Sequence, residues 1–263
     1  MVDPLSPPSL RTAFKFPFRA KEWIVPFIIG TALMFAGMIL PIIPVIFVYG
    51  YLAEVMRMSI QGQEMTLPVW KDWGKLFKDG LRCIGVGLVY LGPALVMSIF
   101  GMIAYFGMFA AMIATTAASP SDSAASALVS FLSLGAMGIL FLSMFLSMIL
   151  FLVGGIPLPA ALAHFIVRDK VGAAFHLREW GRIIGNDKWG YSIAWLLVLG
   201  MMGVFYFAFM LAYMTFILCF VGILLAFPAG FYIMVVSAAL FGQVYREGSL
   251  QPEVHSGEAP INP

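Results

Sequence analysis

The chain has 263 residues, 62% hydrophobic and 11% charged, with a mean hydropathy of +0.97 and a formal net charge of +2. Soluble domains carry about 25% charged residues, so this composition excludes an ordinary soluble globular protein. A net charge so small and so dispersed also excludes the concentrated basic face that nucleic-acid binding requires.

The 15 Lys and Arg residues fall into four islands: Arg11 to Lys21, Arg57 to Arg82, Arg168 to Lys188, and lone Arg246. The uncharged runs 23–53, 83–121, 123–167 and 189–245 each exceed the roughly 20 residues that cross a hydrocarbon core. They are continuously apolar rather than alternating, which selects helices over a β-barrel. The expected fold is therefore all-α, a polytopic transmembrane helical bundle. Short Lys/Arg-rich segments stay in the cytoplasm, so all four islands should lie on that side with an even number of crossings between each pair.

In chain order, residues 1–21 read as a cytoplasmic segment. The apolar run that follows is far longer than the 7–15 residues of a signal-peptide core and lacks a small-x-small cleavage site, so it reads as retained. Spans are expected at about 22–40 and 43–58, turning at Pro41-Ile42-Ile43-Pro44, because proline ends a helix and biases its predecessor away from α. A single kinked helix here would give five spans and leave Arg11, Lys15, Arg19 and Lys21 outside, so six spans are preferred. An interfacial amphipathic helix follows at about 68–80, with Val69, Trp70, Trp73, Leu76, Phe77 and Leu81 opposite Lys71, Asp72, Lys75, Lys78 and Asp79. Pro68 suits its first turn and Gly80 its end.

The next spans are expected at about 81–114 and 127–166, joined outside the cell by the polar stretch Thr115–Ser126. A second interfacial helix covers about 172–185, with Ala173, Leu177, Trp180, Ile183 and Ile184 against Arg178, Glu179, Arg182 and Asn186. Such helices lie at headgroup depth, with Trp in the interface and basic side chains toward anionic lipid. The last spans, about 190–213 and 217–245, turn near Tyr213–Cys219 and lead to a flexible tail at 247–263. Cys83 and Cys219 sit in apolar runs and read as small buried hydrophobes, not as a disulfide or metal pair.

The second and third islands resemble each other. Leu52-Ala53-Glu54 and Trp73-Gly74-Lys75-Leu76-Phe77 match Leu162-Ala163-His164 and Trp180-Gly181-Arg182-Ile183-Ile184 at a period of about 107–110 residues. A fainter echo aligns Glu54-Val55-Met56-Arg57 with Gln243-Val244-Tyr245-Arg246. The pattern reads as three helical hairpins in parallel repeat, unlike the inverted repeats of many secondary transporters.

The runs Gly50-Tyr51-Leu52-Ala53-Glu54-Val55-Met56-Arg57, Leu67-Pro68, Trp70-Lys71-Asp72-Trp73 and Phe77-Lys78-Asp79-Gly80 carry a family resemblance. The opening Phe16-Pro17-Phe18-Arg19 with Trp23, and Ala173-Ala174-Phe175 with Trp180, fit it as well. Over most of residues 14–247 the chain resembles the prokaryotic integral-membrane family known as domain of unknown function 4013. The resemblance implies a multispanning bacterial or archaeal membrane protein and brings no catalytic residues with it.

Little in the chain points to catalysis. His164 and Asp169 have the His-x4-Asp spacing used by glycerolipid acyltransferases, but without its usual polar context. There is no Gly-x-Ser-x-Gly, His-Glu-x-x-His or phosphate loop, so no enzyme and no cofactor are expected. Coupled transport usually needs ionisable groups at membrane depth, and none is legible. Glu54, His164 and Gln243, equivalent in the three hairpins, could form one polar patch binding a headgroup or cation. Trp70, Trp73, Lys75, Lys78, Trp180, Arg178 and Arg182 are the expected lipid or partner contacts. The chain thus reads as a non-enzymatic plasma-membrane scaffold or accessory subunit with both termini cytoplasmic. Its expected partners are membrane lipids and a protein partner or second copy, with no nucleic acid. A passive channel or small-solute or lipid transporter is the alternative.

Overall fold

The computed structural model of the chain describes residues 14–118, 123–214 and 216–250; Arg11, residues 119–122 and the tail beyond Leu250 lie outside the described residues, as does the side chain of Cys219. Among the described residues the chain is all-helical. The helices are α1 (Ile24–Ile39), α2 (Ile43–Gln61), α3 (Trp73–Ala118), α4 (Ser123–Gly155), α5 (Leu158–Arg168), α6 (Leu177–Asn186), α7 (Lys188–Met214) and α8 (Phe216–Leu250). Short 3-10 turns occupy Phe16–Phe18 and Val171–Phe175.

Proline and glycine set the ends of the first hairpin. Leu40 leaves the helical region ahead of Pro41, and Pro44 sits in the first turn of α2, where its missing N–H costs no helix bond. α2 ends at Gly62, whose φ of +66° suits a residue without a Cβ. The Gly62 N–H bonds to the Ser59 carbonyl and the Gln63 N–H to the Met58 carbonyl, both at 3.1 Å, the paired bonds of a Schellman cap.

α3 departs from the sequence expectation. Residues 63–72 form no helix, and from Trp73 a single helix runs 46 residues to Ala118, through Gly80 and Pro93. At 1.5 Å per residue that is about 69 Å, more than twice a hydrocarbon core. The expected interfacial helix 68–80 and span 81–114 are thus one helix. Gly80 does not end it, because the bare backbone there is used for packing. A Cβ on Gly80 would run into the Ile46 carbonyl oxygen, and one on Gly50 into the carbonyl oxygen of Leu76. The two glycines therefore let the backbones of α2 and α3 touch at their crossing.

Three other boundaries also differ. The polar stretch from Thr115 is still helical to Ala118, and α4 begins at Ser123. Thr115 and Thr116 stay in the helix by donating their hydroxyls to the carbonyls of Ala111 and Met112, each at 2.9 Å. The expected span 127–166 is α4 followed by α5, interrupted at Ile156-Pro157, where proline cannot continue the ladder. The third island forms a 3-10 turn and then α6, not one helix over 172–185.

The chain divides into two compact units, residues 1–86 with 159–263, and residues 87–158. In the first, α8 is the central helix, packed against α1, α2, α6 and α7. Phe231, Val235, Val236, Ala239 and Leu240 on α8 are fully buried. Small residues bring the helices close: the Phe231 ring lies where a Gly30 Cβ would be, and the Ser59 hydroxyl donates to the Ala239 carbonyl at 2.7 Å. The second unit is an antiparallel helical hairpin with a seam of small residues. There Ser98 and Ser147 share a hydrogen bond at 2.6 Å, Ser147 donates to the Ala94 carbonyl, and Ser143 fills the space beside Gly101. Its outer surface is apolar, with Phe131, Leu134, Phe141, Leu142 and Val153 exposed.

Among the described residues, five helical stretches are long and apolar enough to cross a membrane: Ile43–Gln61, Trp73–Ala118, Ser123–Arg168, Lys188–Met214 and Leu224–Leu250. α1, a mostly apolar helix of 16 residues, is shorter. Such a set is compatible with a multi-pass membrane protein.

The α2–α3 crossing makes a direct prediction. Gly80→Val forces the two backbones apart and should cost about 2 kcal/mol of stability, read by thermal unfolding in detergent. Gly85, on the same helix with open space around it, should accept Ala with no loss and a gain of up to about 1 kcal/mol. Equal behaviour of the two variants would refute the close-contact account.

Candidate functional site

The basic islands, far apart in sequence, are tied together within the first unit. The Trp70 indole N–H donates to the Pro26 carbonyl at 2.9 Å, joining the segment after α2 to the start of α1, just past the first island. Arg82 pairs with Asp169 at 3.0 Å, joining the second island to the third. Asn186 donates to the Gly248 carbonyl at 3.1 Å, and the Arg246 guanidinium lies over Gly62. Those contacts bring the fourth island to the third and to the end of α2.

At the centre is Asp79, one turn of helix before Arg82 and buried. Its carboxylate accepts from Arg57 Nη2 at 3.0 Å and lies 3.9 Å from Arg82 Nη1. Arg57 also pairs with Glu54, which accepts from Lys75 Nζ at 3.0 Å. The Gly50–Gly80 crossing puts Asp79 within reach of Arg57, and three carboxylates hold the two guanidiniums in place. Above them opens a cavity of about 500 Å³, lined by Arg57, Lys75, Lys78, Asp79, Arg82 and Asp169 with an apolar wall of Ile60, Ile166 and Val167. Lys78 is exposed and has no hydrogen-bond or ion-pair partner among the described residues.

A second polar group surrounds His164, buried on α5. Its Nδ1 lies 2.6 Å from the Tyr245 hydroxyl on α8, and its Nε2 lies 3.2 Å from Glu179 on α6. The carboxylate can only accept, so Nε2 carries the proton and Nδ1 accepts from Tyr245. Glu179 also meets Arg168 at 3.4 Å and His176 at 3.2 Å. Partial loss of water pushes the Glu179 carboxyl up, but the His164 hydrogen bond and the His176 and Arg168 charges outweigh this and hold it below the ordinary carboxylate value.

The expected contact residues divide between surface and interior. Lys75, Lys78, Arg178 and Arg182 are exposed, and Trp73 is 45% exposed, with its ring edge-on to Phe47. Trp70 and Trp180 are not surface contacts: both are 8% exposed. Each indole N–H finds a backbone acceptor inside, Pro26 for Trp70 and Ala174 for Trp180. Trp70 also stacks on Tyr51 with ring centroids 4.2 Å apart. Burial of an indole is tolerated where a backbone carbonyl accepts its N–H, as at both of these positions.

Glu54, His164 and Gln243 do not join as one patch. Glu54 belongs to the Arg57–Asp79 cluster and His164 to the Tyr245–Glu179 group, and no hydrogen bond or ion pair links any two of the three. Asp169 pairs with Arg82 and not with His164. Sequence reasoning missed Asp79 and Arg82 as site residues; their signal was an acid and a base three apart on a helix otherwise heading into an apolar run. No group of three or more His, Cys, Asp or Glu among the described residues could hold a metal ion.

Two predictions follow from this geometry. Asp79→Asn leaves two part-buried guanidiniums short of a carboxylate and should cost about 2 kcal/mol, read by chemical unfolding; Lys75→Gln, removing a surface pair, should cost under about 1 kcal/mol. The Glu179 carboxyl is depressed in the fold, so its stabilising effect is present above the unfolded carboxylate pKa and is lost as pH falls through the lowered folded value. Wild type should therefore be more stable than Glu179→Gln at neutral pH, and their thermal midpoints should converge on acidification. A gap that persists at low pH would exclude this linkage.

Neither the curated proteins nor the solved structures show a significant match to the chain. A family described as "Protein of unknown function (DUF4013)" matches over residues 33–214. This stretch holds the Arg57–Asp79–Arg82 cluster, His164 and both island helices, and it covers well over half of the chain. The chain belongs to the DUF4013 family.

Proposed function

We propose that the chain is a six-span plasma-membrane protein with both termini in the cytoplasm, acting as a non-enzymatic scaffold or accessory subunit. Its cytoplasmic face would contact lipid headgroups or a partner complex. The observation that carries this reading is the gathering of the basic islands by Trp70–Pro26, Arg82–Asp169, Asn186–Gly248 and Arg246 over Gly62. Islands that meet at one end of the helices lie on one side of a membrane, and short basic segments are retained in the cytoplasm. An even number of crossings between the first two islands makes α1 the sixth span, its 16 residues short but uncharged and mostly apolar.

The face so formed is a platform more than a pathway. α6 presents Arg178 and Arg182 outward and buries Trp180, as an amphipathic helix lying against the bundle would. Ion pairs hold the Arg57 and Arg82 side chains of the Asp79 cluster in place, which suits a rigid docking surface. Single cysteines in a background lacking Cys83 and Cys219 test the topology. Pro8→Cys should react with an impermeant maleimide only after permeabilisation, and Ser123→Cys should react in intact cells. Labelling of Pro8→Cys from outside would exclude six spans with a cytoplasmic N-terminus. Reversing Arg178 and Arg182 to Glu should strip anionic lipid or a stoichiometric subunit from protein purified in gentle detergent, while membrane integration persists. Solute flux through proteoliposomes of the pure protein would overturn the scaffold reading.

A further inference from the structure

The cavity beside Asp79 has more donors than its own acceptors can use. Arg82 meets both Asp79 and Asp169 through Nη1, and among the described residues its Nε and Nη2 donors have no hydrogen-bond acceptor. Among the described residues Lys78 has no hydrogen-bond or ion-pair partner, and Lys75 uses one of three ammonium protons on Glu54. The four cations Arg57, Lys75, Lys78 and Arg82 face three carboxylates, Glu54, Asp79 and Asp169, leaving one positive charge. Asp79 and Asp169 line the cavity beside the guanidiniums they pair with, and these ion pairs fix both guanidiniums in place. Unused N–H donors and one surplus positive charge are complementary to a singly charged, acceptor-rich oxyanion.

We infer that this cavity binds the phosphodiester of an anionic glycerophospholipid. The phosphate would sit on Arg82, Lys78 and Lys75, with the glycerol and upper acyl chain along Ile60, Ile166 and Val167. The apolar wall distinguishes a lipid from a free phosphate, because an inorganic ion gains nothing from three branched aliphatic side chains. The position also fits: Gln61 is the last residue of α2, Arg168 the last of α5, and Trp73 the first of α3. The inference rests on the proposed membrane topology and names the lipid that its cytoplasmic face would hold.

The test uses the full chain, delipidated in detergent, and measures binding of dioctanoyl-phosphatidylglycerol, dioctanoyl-phosphatidylcholine, glycerol 3-phosphate and inorganic phosphate. Phosphatidylglycerol should bind clearly more tightly than phosphatidylcholine, and neither phosphate compound should compete. Lys78→Gln should weaken it about fivefold and Lys75→Gln with Lys78→Gln about 25-fold, whereas Lys21→Gln should stay within about twofold. Both lysines are exposed, so these variants should fold, and unchanged thermal midpoints without lipid would verify it. Equal binding of the two lipids, or an unaltered Lys78→Gln variant, would overturn the inference. Tight binding of inorganic phosphate would overturn the lipid assignment in favour of a free oxyanion. Resistance of the protein to alkaline extraction separates the two levels: an extractable protein defeats the membrane reading, and an integral one that ignores phosphatidylglycerol defeats the site alone.

Discussion

The crossing of α2 and α3 depends on two missing side chains. Gly50 and Gly80 let the carbonyls of Leu76 and Ile46 approach the opposite backbone, and no larger residue fits at either place. That contact sets how far Asp79 stands from Arg57, and so whether a buried carboxylate finds its guanidinium. In lipid, where apolar side chains gain nothing by leaving the solvent for one another, close backbone packing is a main source of helix association. The same device recurs at Gly30 under Phe231 and at Gly101 beside Ser143.

Given that crossing, the charged residues follow an order of burial. Asp79 is inside, Arg57 and Arg82 are partly covered, and Lys75 and Lys78 reach outward. A carboxylate buried among basic groups is tolerated because Arg57 pairs with it and Arg82 lies close by. His164 is accommodated by another route, as a neutral imidazole with one nitrogen accepting and the other donating. That bond is also one of the ties holding α6 to the bundle, beside the Trp180 ring.

Much of the architecture was legible from the residues. The uncharged runs located the helices, Pro41 and Pro44 marked the first hairpin turn, and the islands marked the charged ends. The helical start at Trp73 was not legible, because amphipathic spacing at 69–81 describes equally well a free interfacial helix and the first turns of a longer one. Gly80 read as a stop for the same reason: glycine suits both a helix end and a close crossing, and only the presence of Ile46 beside it separates the two. The burial of Trp70 and Trp180 escaped notice because tryptophan is amphipathic and its depth depends on whether a carbonyl waits for its N–H inside.

By itself the sequence determined composition-level properties: apolar stretches of membrane-crossing length, the clustering of charge at their ends, and the family. These depend on local hydrophobicity, which each segment carries with it. Tertiary structure alone decided which charges meet. Arg82 pairs with Asp169 across 87 positions and His164 with Tyr245 across 81, and pairings at such separations arise from helix crossings that no local pattern encodes. The candidate chemistry of the chain lies in those pairings, and so does the cavity they frame.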